Sequence, residues 1–242
     1  MPRNSAHTAQ MPETKLLTES RDGVLTLTLN RPEKLNAIDN DLSSSLLQAI
    51  EAGAADESVR VIRLRGHGRA FCAGRDVSAS PTEDDLVLVQ AVAEAIVRNP
   101  KLVLAQVHGW TVGAGFEWML DADVVLAAAS TRFKLPEASL GVFVTGGLSA
   151  TLAATVGLAR AKALTLFGDV FTAYQALEWG LVWKVVEDSD LEESSWSAAV
   201  KLATLKPGVA SQFKRVFNLL GLATFDRAIE EENMAQRLLG SQ

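Results

Sequence analysis

The sequence predicts an α/β domain built on a covered, largely parallel sheet and continued by a mainly helical C-terminal stretch. Three observations carry this. In the N-terminal half, short apolar segments alternate with stretches of helical periodicity. Residues 102–107 are apolar on both sides, so both faces of that strand need cover, which a parallel sheet flanked by helices provides. From Gly147 onward the pattern turns helical, and only residues 181–186 read as a strand.

Taken in order, residues 1–12 are polar, carry two prolines and show no period, which reads as a flexible leader without function. Residues 24–30 place Leu25, Leu27 and Leu29 against Thr26 and Thr28, the alternation of a half-buried strand that Pro32 ends. Asp39 or Asn40 can cap a helix whose positions Leu42, Leu46, Ala49, Ile50 and Gly53 recur at helical spacing. A strand at 61–65 follows. Pro81 and Thr82 then open a helix with Leu86, Val89, Ala93 and Ile96 on one face, and Asn99-Pro100 closes it. The apolar run 102–129 is broken by His108, Glu117, Asp121 and Asp123, so it reads as buried strand, helix and strand and not as a membrane span. Later helices are predicted near 148–156, 159–167, 173–179, 191–205, 209–220 and 225–239, jointed at Gly157, Gly168, Gly180 and Pro207-Gly208.

With 242 residues, 48% of them hydrophobic, the chain can bury a sizeable core. Its net charge of −6 and lack of a basic block argue against nucleic acid, although a few placed Lys or Arg can still meet one phosphorylated ligand. The single cysteine, Cys72, cannot form an internal disulfide, and a reducing cytoplasm is the expected compartment. Cys72 reads as small packing, because His7, His67 and His108 carry no pairing signature for a thiol and no spacing for a metal.

The chemistry-bearing stretch is 107–117, in which a strand runs through Gly113, Ala114 and Gly115 into a helix start and reaches Glu117 one turn later. Small residues allow close approach of a ligand, and N–H groups at a helix start lack intrahelical partners. Such a stretch can bind an oxyanion beside a carboxylate. Taken alone, a tightly packed Gly/Ala helix start capped by Glu117 is the better explanation. A second stretch, Arg69-Ala70-Phe71-Cys72-Ala73-Gly74-Arg75-Asp76, also ends in small residues with free backbone. A third, Phe133-Lys134-Leu135-Pro136-Glu137-Ala138-Ser139-Leu140-Gly141, brings another carboxylate, which by itself reads as a turn cap.

These stretches, in this order and with Asn30-Arg31-Pro32-Glu33-Lys34-Leu35-Asn36-Ala37 before them, resemble the enoyl-CoA hydratase/isomerase (crotonase) family from about Val24 to about Gln236. The resemblance implies a right-handed spiral of strand-strand-helix turns over 13–195. It also implies a C-terminal helical trimerisation arm over 196–242, short of the family's last helix. It implies a homotrimer or a dimer of trimers that takes an acyl-CoA thioester, with no metal and no permanently bound cofactor, coenzyme A being part of the substrate. The thioester oxygen would lie between the N–H groups of Ala73 and Ala114. The CoA moiety would be gripped, mainly by backbone, at Lys34, Leu35 and Ala37 and at Ala73, Gly74, Arg75, Asp76 and Val77. Glu117 and Glu137 match the family's acid/base glutamates, implying hydration of a 2-enoyl-CoA in which Glu117 handles water and Glu137 the alpha carbon. Double-bond isomerisation or other acyl-CoA-processing crotonase chemistry, and a non-catalytic CoA-binding or scaffold role, remain as alternatives. Departures fall at 142–150, where the usual Pro-Gly pair is missing, and at Trp110, Trp118 and Phe143, which are expected to add bulk near the acyl pocket.

Overall fold

A computed structural model describes residues 14–78 and 82–240; the expected leader and Pro81 lie outside the described residues. The chain begins with β1 (Leu16–Arg21) and β2 (Val24–Leu29), then α1 (Asn40–Ala55), β3 (Val61–Gly66), α2 (Glu83–Val97) and β4 (Leu102–Val107). It continues with β5 (Trp110–Val112), α3 (Ala114–Leu120), β6 (Val124–Ala128) and β7 (Arg132–Lys134). Next come α4 (Leu148–Val156), α5 (Leu158–Phe167), β8 (Phe171–Thr172), α6 (Ala173–Glu178) and β9 (Lys184–Val186). The chain finishes with α7 (Leu191–Ala203), α8 (Pro207–Gly221) and α9 (Phe225–Gly240).

The caps follow the side-chain chemistry. Asp39 accepts from the Leu42 N–H at the start of α1, and Thr82 with Asp85 forms a reciprocal capping box on α2. One sheet has the order β1-β2-β3-β4-β6-β9, with β1 antiparallel to β2 and every later pairing parallel. A smaller sheet joins β5, β7 and β8. The strand β1 was not expected. Its sequence lacks alternation because only Leu16 is buried, so backbone pairing with β2 decides it. The two-residue β8, which pairs antiparallel with β7, was also missed, being too short to show a period.

The largest apolar cluster lies between the main sheet and helices α1, α2 and α3, with Phe116, Phe133 and Phe171 in edge and stacked contacts near the small sheet. The opposite face of the main sheet is covered by α7, whose Leu191 and Ala199 pack with Val24, Val61, Leu104 and Leu126. Both faces are thus covered, as the apolar strands require. The division expected between 195 and 196 falls inside α7, where Ser195 is buried and donates to Gln106 Oε1 at 2.6 Å.

Candidate active site

Two loops expected to hold CoA lie side by side. The Ile38 N–H donates to Gly74 O and the Asp76 N–H to Ile38 O, both at 2.8 Å, so 35–38 and 73–76 form a short parallel pairing. Leu35 and Asn36 both have positive φ, and the Asn36 side chain ties the bend by donating to His67 O and Ala70 O while accepting from the Arg31 N–H. Arg31, which sequence reasoning did not single out, donates to Ala37 O and to Asp76 Oδ2, bridging the loops. Its signal was the asparagine-arginine-proline run itself, read only as part of a resemblance. Hydrogen bonds from Ser78, then the Arg31 guanidinium, hold the Asp76 carboxyl far below the usual carboxylate range. Lys34 and Val77 face solvent, Leu35 is half-buried, and the Arg75 side chain reaches Asp85 on α2 at 3.2 Å.

The pairing corrects one expectation. The Ala73 N–H donates to Leu35 O at 3.0 Å, so it is not a free donor. The N–H of Arg75, two residues on, has no acceptor among the described residues, and neither does that of Ala114, the first residue of α3. The residues preceding them touch. Gly113 has φ +53°, and a Cβ there would stand 4.0 Å from the Gly74 Cα and 2.9 Å from Glu137 Oε1. Two unsatisfied donors and a carboxylate therefore meet where only glycine fits.

Glu117 is 1% exposed. Its Oε1 accepts from the Thr145 N–H at 3.2 Å, and its Oε2 from the Thr145 hydroxyl at 3.0 Å and the Gly146 N–H at 2.6 Å. Glu137, in the turn after Pro136, is 8% exposed, and its buried Oε2 has no hydrogen-bond partner among the described residues. Burial, then the Glu137 and Glu232 charges, push the Glu117 carboxyl up to about 8 against the pull of the Gly146 and Thr145 N–H groups. Burial likewise pushes Glu137 up to about 7. Both members of the pair thus take up a proton more readily than an exposed glutamate.

Two further carboxylates escaped the sequence reading. Asp121 follows Glu117 by one turn of α3, is buried, and has neither oxygen hydrogen-bonded among the described residues. Burial, with Glu117 and Glu232 nearby, holds it well above its ordinary value. Its signal was an acid at i+4 in an otherwise apolar helix. Glu232, on α9, sat in Glu230-Glu231-Glu232, which reads as a solvated face, yet it is 1% exposed. Trp118 packs in the core with its Nε1–H on Val89 O, whereas Trp110 and Phe143 are partly exposed.

Known proteins are similar to this chain in sequence and in fold. The model of the enoyl-CoA hydratase/isomerase family matches residues 19–241. The chain is 34% identical over 235 residues to 1,2-epoxyphenylacetyl-CoA isomerase of Escherichia coli K12, covering 93% of this chain and 90% of that protein. It is 35% identical over 198 residues to 2,3-dehydroadipyl-CoA hydratase of the same organism, covering 80% and 77%. An enoyl-CoA hydratase structure from Mycobacterium avium subsp. paratuberculosis K-10 superposes with a TM-score of 0.90 at 30% identity, covering 96% of this chain and 92% of that one. The sheet order, the paired loops, the glycine-bounded helix start and these matches together place the chain in the enoyl-CoA hydratase/isomerase (crotonase) family, with the crotonase fold.

Proposed function

We propose that the protein is an enoyl-CoA hydratase that adds water across the double bond of a 2-enoyl-CoA. The observation that carries this reading is a pair of buried, electrostatically coupled carboxyls, Glu117 on α3 and Glu137 against Gly113, which between them can hold one proton and one charge. The thioester oxygen sits between the free N–H groups of Arg75 and Ala114, which stabilise the enolate by roughly 3–4 kcal/mol per donor. Glu117 orients and deprotonates water while Glu137 delivers a proton to the alpha carbon. The CoA moiety lies along the paired loops, against backbone at Leu35, Ala37, Gly74, Asp76 and Val77, with exposed Lys34 available to a phosphate. The family implies the acyl-CoA class of substrate. Loss of enoyl-thioester absorbance with crotonyl-CoA tests the reading; binding without turnover would leave a CoA-binding module instead.

One observation favours a second reading, double-bond isomerisation. Both Glu117 oxygens are engaged by Thr145 and Gly146, whereas the Glu137 Oε2 is free, and one base suffices for a proton shift from one carbon to another. Relatives named as hydratase and as isomerase both occur among the matches. If hydration is correct, Glu117→Gln loses water addition by about 10²–10⁴ yet still exchanges the alpha proton with deuterium, while Glu137→Gln loses both. Unimpaired hydration by Glu117→Gln would remove Glu117 from the acid/base work, and double-bond migration without hydration by the wild type would transfer the assignment to the isomerase.

A further inference from the structure

The loop that holds Glu117 is itself held from α9. Consecutive N–H groups diverge: Gly146 donates to Glu117 Oε2 at 2.6 Å, and Gly147 donates to Glu232 Oε2 at 2.8 Å. The other Glu232 oxygen accepts from the Ser149 N–H at 2.8 Å and the Ser149 hydroxyl at 2.6 Å. Glu232 therefore caps α4 from a different helix, taking up N–H groups at an N-terminus whose own N-cap residue, Gly147, has no side chain to do so. Gly147 has φ +78°, and a Cβ there would lie 2.3 Å from the Phe225 ring at the start of α9. Two more residues of α9 reach the same loop. Gln236 accepts from the Phe143 N–H at 2.7 Å, and Asn233 accepts from Gln90, which also donates to Thr145 O.

We propose that Glu232 is a positioning residue for Glu117: from α9 it fixes the turn at 145–149, and that turn fixes the Glu117 carboxyl. The proposal rests on the reading that Glu117 does acid/base work. Charge acts along the same route. The groups facing Glu117 are Glu232 on α9, Glu137 in the turn after Pro136, and Asp121 on its own helix, which Lys214 of α8 partly offsets. From α2, the neutral Gln90 and Ala93 stand against Thr145 and Gly146 of the turn that holds Glu117. An ionised Glu232 thus favours the protonated form of Glu117, and its removal lowers the pH at which Glu117 ionises.

The test compares Glu232→Gln and Glu232→Asp with wild type in three measurements: kcat and KM for crotonyl-CoA across pH, thermal midpoint, and titration of Glu117 by carboxyl ¹³C NMR, assigned with Glu117→Gln. In Glu232→Gln the Glu117 titration moves to lower pH, the matching limb of the kcat profile follows, and kcat falls by about ten- to a hundredfold while KM stays within about twofold. Glu232→Asp keeps the charge and restores the titration but not the full kcat, because the carboxylate is withdrawn by one methylene. A lower thermal midpoint with unchanged titration and unchanged kcat would reduce Glu232 to a helix cap and overturn the proposal. If Glu232→Gln does not fold, Glu232→Asp decides alone: reduced kcat at constant KM supports the proposal, and wild-type kcat overturns it. If wild type turns over no enoyl-CoA, the hydratase reading fails while the titration still tests the link from Glu232 to Glu117.

Discussion

The free N–H of Ala114 stands at the first position of a helix, where proline is tolerated because its missing N–H has no intrahelical bond to lose. Ala114→Pro is therefore expected to fold and to lose about 10²–10³ in kcat. Wild-type turnover by a folded Ala114→Pro would remove Ala114 from the site. Glu137 permits a second test at this scale, through stability. Its carboxyl binds a proton more tightly in the folded chain than in the unfolded one, so its stabilising contribution is complete below the unfolded value near ~4.3. That contribution is lost as pH rises through about 7. Glu137→Gln, which carries no buried charge at any pH, should gain thermal midpoint relative to wild type as pH rises from 5 to 8, by about 2–4 °C per kcal/mol. Parallel curves for the two proteins would show that Glu137 does not titrate in this range.

Among the elements, α8 is fastened by one buried side chain. Lys214 donates to Ile96 O at 2.8 Å, to Lys101 O at 3.3 Å and to Asp123 Oδ2 at 2.9 Å, and Asp123 in turn accepts from the Val103 N–H. This joins the end of α2, the start of β4 and the start of β6 to α8. Burial pulls the Lys214 ammonium below its ordinary value while Asp123 opposes the shift. Lys214→Ala strands the Asp123 charge in the interior and is expected to cost about 3–5 kcal/mol, read as a lower urea midpoint. A change within ~0.5 kcal/mol would mean that Lys214 does not fasten α8 and that other contacts, such as the Asn218 side chain donating to Val97 O, suffice.

At the scale of the molecule, α8 turns Phe213, Val216, Phe217, Leu219 and Leu220 to solvent, with the rings of Phe213 and Phe217 6.3 Å apart. Leu166, Phe167, Tyr174 and Trp183 are exposed around α5, α6 and β9. Apolar surface of this extent calls for a partner, and the proposed one is a second and third copy of the chain. Light scattering should give three or six times the 25.9 kDa chain mass, and Phe217→Glu should shift it toward one; a wild-type mass of one chain would sink the trimer.

Features written in local chemistry could be read before any fold was known. The alternation of 24–30, the cap at Asp39 and the glycine-bounded approach to Glu117 are each set by residues within a turn or two of one another, so they were legible without a fold. Resemblance then linked Glu117 to Glu137. Tertiary structure alone decided which N–H groups are free. The Ala73 N–H is consumed by Leu35, 38 positions away, while the Arg75 N–H is not, and no local pattern records a bond to a distant loop. The same holds for Glu232. Three consecutive glutamates look alike in sequence, and only the packing of α9 on α4 buries the third against Gly147 and Ser149 while Glu230 and Glu231 stay in water. Long-range hydrogen bonding and burial set both outcomes, because each is a property of the folded contacts and of no segment on its own.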